Sequence, residues 1–182
     1  MKKIGFLARL RNKIKIQKNN HIKIGNNVGL SGCTIIIKGQ NNILSIGDHS
    51  RLRNMTIEIV GSHCSIEIGE KCVIGHDCYL SAKEDNIHLQ IGDNCMLSRN
   101  VNILTSDGHP IFQNETRINP ARSISIGNHV WLADNVIILK GVSIGEGSII
   151  GIHSLVTKSI PEHTIAVGIP AKVIKRDIGW EF

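Results

Sequence analysis

A chain of 182 residues with a formal net charge of +6 is long enough for one domain with a sizeable core, and its basic balance suits anionic partners without choosing among them. Aromatic residues make up only 3%, which excludes a core built on Phe, Tyr and Trp and leaves thin, repeated layers of β-branched residues to supply the bulk. Five cysteines, an odd number without a CxxC pair, speak against a disulfide framework or a structural zinc site.

Residues 1–18 are basic and helix-compatible. Ile4, Leu7, Leu10 and Ile14 share one face, with Lys2, Lys3, Arg9, Arg11, Lys13, Lys15 and Lys18 around it. They read as a helical, solvated cap over the first coil of a repeat that begins at residue 19; the alternative is an anchor on anionic lipid, giving peripheral membrane proximity. The apolar run Ile4-Gly5-Phe6-Leu7-Ala8 is too short for a signal-peptide core or a membrane span, so the expected location is cytoplasmic.

Residues 19–182 form the expected main domain. Aliphatic residues recur at every sixth position, loosely at Ile24, Leu30, Ile36 and at Ile46, Leu52, then at Ile68, Ile74, Leu80 and at Ile91, Leu97, Ile103. They recur without a break at Ile126, Leu132, Ile138, Ile144, Ile150 and Val156. A period of six fits neither a helix nor a simple amphipathic strand. It fits a parallel β-helix, in which each hexapeptide is one short strand plus a corner and three make a triangular coil, stacked at about 4.8 Å. A β-sandwich with repetitive turns would not keep six consecutive positions in frame. Val130, Val136, Val142, Ser148 and Ser154 fill the slot two positions before an inward aliphatic, and Gly127, Gly145 and Gly151 follow one. Cys64, Cys72, Cys78 and Cys95 fall on the small slot too, which makes them packing residues.

Two further stretches leave the frame: a short bulge at Ala82–His88, and residues 105–123 between Ile103 and Ile126. A long loop ejected from a rigid solenoid is where function is usually carried. This one holds His109 within Ser106-Asp107-Gly108-His109-Pro110-Ile111. Trp131 lies further on in Asn128-His129-Val130-Trp131-Leu132-Ala133, at an outward position; an exposed Trp in so aromatic-poor a chain reads as a binding surface.

These two segments, the unbroken hexapeptides up to Pro161, and Ala166-Val167-Gly168-Ile169-Pro170-Ala171-Lys172 together resemble the hexapeptide-repeat acyltransferase superfamily. The likeness is greatest to the maltose/galactoside O-acetyltransferases and to the O-acetyltransferases of bacterial capsule and surface polysaccharide. It is strong over roughly residues 68–176 and carried by the repeat alone before that. It implies left-handed winding, against the usual crossover rule. It also implies acetyl-CoA as donor without a metal, a glycan or polysaccharide hydroxyl as acceptor, and a homotrimer with active sites between subunits.

By the resemblance, His109 is the general base. The chemistry agrees: a sugar hydroxyl is a poor nucleophile at neutral pH, imidazole titrates near neutrality, and a thiolate leaves well without a covalent enzyme intermediate. Asp107 is a candidate to orient the ring or to cap the turn. Trp131 matches the active-site Trp of capsule-type relatives, where it would stack on sugar, pack on pantetheine or donate its indole N–H. Gly151, Ser154, Thr157, Lys158, Gly168, Pro170, Ala171 and Lys172 match the stretches that line coenzyme A; Lys158 and Lys172 suit phosphate, or are solubilising charges. Ser81 stands where the maltose branch has an acceptor-holding Asn, which favours a polysaccharide over a free galactoside. The alternatives are an N-acetyltransferase acting on an amino sugar or sugar nucleotide, a non-catalytic assembly subunit, and a γ-type carbonic anhydrase-like enzyme. The last requires an HxxxxH zinc pair, and neither His76 nor His109 belongs to one. Nucleic acid is not an expected partner, since stacking aromatics are lacking.

Overall fold

The fold is that of a computed structural model, described over residues 11–182. Among these residues, short parallel strands wind into seven coils with three faces. The first face stacks Lys13–Ile16, Thr34–Lys38, Thr56–Val60, Tyr79–Lys83, Asn102–Leu104, Ile137–Leu139 and Leu155–Val156. The second stacks His21–Ile24, Ile43–Ile46, Ser65–Ile68, His88–Ile91, Ile124–Ile126 and Ser143–Ile144. The third runs from Gly29–Ser31 through Arg51–Arg53, Val73–Ile74, Met96–Leu97, Trp131–Leu132 and Ile149–Ile150 to Ile165–Gly168, with Ala171–Lys175 folded back antiparallel. The inward columns, such as Ile57, Leu80, Ile103, Ile138 and Val156, are sealed from solvent. The expected parallel β-helix is what these residues build.

The six-residue frame holds strictly only late in the chain. Ile137 pairs with Leu155, a coil of 18 residues, whereas Thr34 pairs with Thr56 and Thr56 with Tyr79, coils of 22 and 23. The added residues lengthen the first-face strands and widen the corner after them. The frame puts Ile36 inside, but Ile35 and Ile37 are buried and Ile36 faces out, because within a five-residue strand the period of two decides direction. The segment Ala82–His88 is likewise no local bulge. It is the same widened corner, hydrogen-bonded to the one beneath through Glu84 N–H to Val60 O and Asn86 N–H to Ser62 O, both 2.9 Å.

The helix expected over residues 1–18 does not extend through Lys13–Ile16, which is a strand. Lys13-Ile14-Lys15-Ile16 alternates with period two and pairs with Thr34–Ile37, so the solenoid begins before residue 19. Paired there, the strand covers an edge that a helix would leave open. Ile4, Leu7, Leu10, Lys2, Lys3 and Arg9 lie outside the described residues, and so do the cap and lipid-anchor readings.

At the corners, glycine and the left-handed backbone separate. Gly69, like Gly47 below it and Gly92 above it, is needed for close approach: a Cβ there would lie 2.6 Å from the backbone of Gly92. The left-handed residues come two positions later, at Asn27, His49, Lys71, Asn94 and His129, with φ between 53° and 63°. The cysteines are free and buried. Cys72, Cys78 and Cys95 aim their thiols at the carbonyls of Gly92, Ser98 and Gly127 in the next coil (3.1, 3.3 and 3.2 Å), as Ser50 aims its hydroxyl at Gly69. Burial pushes the Cys78 thiol up to about 11, which makes it a packing group and a poor nucleophile.

Candidate active site

Residues 105–123 leave the solenoid after Asn102–Leu104 and return at Ile124–Ile126, so they project from the corner between the first and second faces. The base is closed by Arg122 N–H to the Thr105 carbonyl (2.9 Å) and tied to the coil beneath by Lys83 N–H to Thr105 Oγ1 (3.1 Å). The far end is a hairpin of Phe112–Gln113 against Thr116–Arg117, turned by Asn114 and Glu115, both left-handed at φ 47° and 63°.

Polar groups fix the loop from three directions. Glu84, on the coil beneath, accepts Arg117 Nη2 at 2.5 Å, Ser106 Oγ at 3.0 Å and Ala121 N–H at 3.4 Å. The Arg117 guanidinium holds the Glu84 carboxyl below the usual carboxylate range. Asn119 is buried inside the loop. Its Nδ2 donates to Asp107 Oδ2 (2.9 Å) and to the His109 carbonyl (2.8 Å), and its Oδ1 accepts Ile111 N–H (2.6 Å). Lys140, on the coil above, donates to Asp107 Oδ2 (2.6 Å) and to the Asn119 carbonyl (3.0 Å), holding the Asp107 carboxyl below its ordinary range. Sequence reasoning missed Glu84, Arg117, Asn119 and Lys140.

The result is a His109 whose backbone is pinned while its imidazole stands exposed. Asp107 makes no hydrogen bond to that ring; its carboxylate is engaged by Lys140 and Asn119, so it shapes the loop backbone. Trp131 faces outward on the third face as expected, but it is half-buried rather than exposed. Its Nε1 donates to Ser98 Oγ one coil below (3.2 Å), and the ring of Trp180 packs against it at 5.9 Å. With the N–H engaged, what the indole offers is its flat face. Ser81 does not present its hydroxyl to an acceptor. It is buried between Glu58 and Leu104 on the adjoining strands and donates to the Ile103 carbonyl at 3.2 Å. A short side chain in that row is flanked by the Tyr79–Glu58–Lys83 cluster, in which Lys83 pairs with Glu58 at 2.8 Å and Tyr79 donates to it.

The residues matched to coenzyme A gather on the last two coils. Thr157, Lys158, Gly168, Pro170 and Lys172 are exposed there, while Gly151 and Ala171 are half-buried. A Cβ on Gly151 would meet the Val167 Cγ1 methyl at 2.5 Å, so a side chain there would require Val167 to move. Ser154 is buried and its Oγ accepts Gly168 N–H (3.0 Å), so it holds the Gly168 turn in place instead of reaching outward. Gly168, at φ 105°, and the cis Ile169–Pro170 bond return the chain into Ala171–Lys175. Among the described residues, no group of His, Cys, Asp and Glu is placed to hold a metal ion.

One chain does not bring His109 and Trp131 together. The loop is fastened at the corner between the first and second faces by Glu84 below and Lys140 above, and that corner lies across the triangular section from the third face, where Trp131 stands.

Comparison with known proteins agrees with this architecture. The profile of the bacterial transferase hexapeptide (six repeats) family matches residues 123–158. The chain is 40% identical over 118 residues to polysialic acid O-acetyltransferase of Escherichia coli O1:K1 / APEC, covering 62% of this chain and 38% of that one. It is 43% identical over 94 residues to galactoside O-acetyltransferase of Escherichia coli K12, covering 50% and 45%. The matched region spans less than half the length of these two curated relatives. Among solved structures, the polySia-specific acetyltransferase NeuO superposes with a TM-score of 0.69 at 34% identity, covering 94% of this chain and 89% of that one. The polysialic acid O-acetyltransferase OatWY gives 0.64 at 28%, covering 94% and 88%. With a relative of 34% identity aligned along nearly all of both chains, and with the repeat that defines the group stacked into seven coils, this chain belongs to the bacterial hexapeptide-repeat transferase family.

Proposed function

We propose that this chain transfers the acetyl group of acetyl-CoA to a hydroxyl of a bacterial surface or capsular polysaccharide, with His109 as the general base. The observation that carries the reading is the 34% identity to a polySia-specific acetyltransferase along nearly the whole chain. The braced loop supports it, since it holds an imidazole out toward solvent on a fixed backbone. In the reaction His109 takes the proton of the sugar hydroxyl as its oxygen attacks the thioester carbonyl. The tetrahedral oxyanion collapses, the C–S bond breaks, and the coenzyme A thiolate leaves to recover the proton from the imidazolium. Positioning supplies the rest of the rate. With a cytosolic thioester as donor, the reaction belongs in the cytoplasm.

The site itself is shared between chains. His109 and Trp131 lie across the prism from one another, so a site that uses both takes His109 from one chain and Trp131 from the next. A closed ring of three copies supplies three such sites. The loop tip supports this arrangement: Ile111, Phe112 and Ile118 are 51%, 62% and 54% exposed in one chain, an apolar patch suited to burial against a neighbour. Coenzyme A then runs along the last coils past Gly151, Thr157, Lys158, Gly168, Pro170 and Lys172.

The test is thiol release from acetyl-CoA against polysialic acid, other capsular polysaccharides, free galactosides and amino sugars. The expected result is release that depends on a polysaccharide and yields a base-labile O-acetyl ester. Release with amino sugars alone, giving a base-stable amide, would overturn it.

A further inference from the structure

The chain has two tryptophans, one tyrosine and three phenylalanines, and both tryptophans and one phenylalanine gather at a single place on the third face. Trp180, in the C-terminal tail, stacks on His129 with centroids 4.1 Å apart and planes 4° from parallel. The stack is clamped at both ends. Trp180 Nε1 donates to the His129 carbonyl at 2.9 Å, and His129 Nε2 donates to the Trp180 carbonyl at 2.9 Å. A carbonyl only accepts, so this ring nitrogen carries the proton. Trp180 in turn lies 5.9 Å from Trp131 at a tilt of 44°, and Phe182 leans on Trp180 at 5.1 Å. The Trp131 indole is therefore held on two sides, at its N–H by Ser98 and at its ring by Trp180.

A tail that merely sealed the end of the solenoid would lie over the last coil. This one touches the last coil at Ile178, whose N–H reaches the His163 carbonyl at 3.1 Å, and then crosses back to His129 and Trp131, which flank the inward Val130 on the outer side of the third face. Its aromatic rings thus close no gap in the core. What they do contact is the one outward indole of the repeat.

We propose that Trp180, clamped on His129, is a positioning residue that fixes the plane of the Trp131 indole for acetyl transfer. The proposal rests on the reading that Trp131 lines the transfer site. An indole turns about two side-chain torsions, and displacements of about an ångström at a reacting centre are enough to cost turnover.

The test compares Trp180→Ala, Trp180→Phe, His129→Ala, the Trp180→Ala/His129→Ala double variant and Trp131→Ala in the full chain. The readouts are kcat and KM in the thiol-release assay and far-UV circular dichroism, where two indoles this close couple into paired bands of opposite sign. The wild type should show the paired bands, and every variant lacking either Trp should lose them. Trp180→Ala should lower kcat about tenfold with KM for acetyl-CoA within about twofold. His129→Ala should match it, the double variant should be no worse than either, and Trp180→Phe should recover most of the turnover because a ring still stacks. Should Trp180→Ala fail to fold, His129→Ala and Trp180→Phe carry the comparison. Wild-type kcat in Trp180→Ala beside an inactive Trp131→Ala would overturn the proposal and leave the site intact. A loss seen only in KM for acetyl-CoA, or no paired bands in the wild type, would overturn it too. Full activity of Trp131→Ala would instead remove the reading on which it rests.

Discussion

Replacing Asn119 with Ala removes three hydrogen bonds from the middle of loop 105–123 without touching a strand of the solenoid. Two of them, to the His109 carbonyl and from the Ile111 amide, are neutral and contribute about 1 kcal/mol each, while the one to the Asp107 carboxylate contributes about 2 kcal/mol. The sum, about 4 kcal/mol, is an upper limit, because water reaches a surface loop and replaces part of what is lost. If about half is recovered, roughly 2 kcal/mol remains. At about 1.4 kcal/mol per factor of ten, the equilibrium constant for the ordered loop then falls by about thirtyfold, and the productive population falls by up to that factor. The expected outcome is a kcat lowered by about 10- to 100-fold, with a melting temperature within about 2 °C of wild type, since the loop opens without the core. Thiol-release kinetics measure the first effect and hydrogen exchange of peptides spanning 105–123 measures its cause. Wild-type turnover alongside fast exchange across the loop would refute the reasoning, because His109 would then work without its anchor.

His109→Ala is expected to lose at least about a hundredfold in turnover while calorimetry shows coenzyme A binding unchanged; loss of binding would mean that the loop is structural. Ser81→Ala should cost about 1 kcal/mol of stability through loss of the hydroxyl's hydrogen bond to the Ile103 carbonyl and leave KM for the acceptor unchanged, and a raised KM would return Ser81 to the site. The carboxyls of Glu84 and Asp107 are lowered by Arg117 and Lys140, so their contribution to loop order is present above the unfolded value of about 4 and disappears as pH falls through the lower folded values. Loop exchange, corrected for intrinsic rates, should therefore be flat from about pH 5 to 8 and rise only below about 4. Loosening near neutrality would contradict these two anchors.

The fold is legible because a hexapeptide frame has one physical solution, and the loop because it breaks that frame. The frame misplaces Ile36, since the period of six yields to the period of two wherever a strand grows to five residues. Lys13–Ile16 misleads because its charges suit a helical face, while its alternation is the stronger signal. The loop's anchors are hidden for a different reason. Lys140 meets Asp107 from 33 residues away, a pairing that no local pattern encodes. Glu84 does leave a trace. It succeeds Gly39 and Gly61 in the column of widened corners, and it adopts φ 75° where the earlier coils place glycine. A carboxylate put where the backbone prefers glycine breaks a local rule, and such breaks collect at functional sites. Trp180 lies beyond the repeat, where periodicity is silent.

The most direct test of a site shared between chains is subunit complementation. His109→Ala and Trp131→Ala chains, each nearly inactive alone, are co-expressed with different tags so that mixed assemblies form, and native mass spectrometry verifies the mixing. If each site joins His109 of one chain to Trp131 of its neighbour, half of the chains carry each intact residue, and about a quarter of the sites are whole. The mixture should then regain about a quarter of the wild-type rate. Mixed assemblies as inactive as their parents would place both residues in one chain and contradict the shared site.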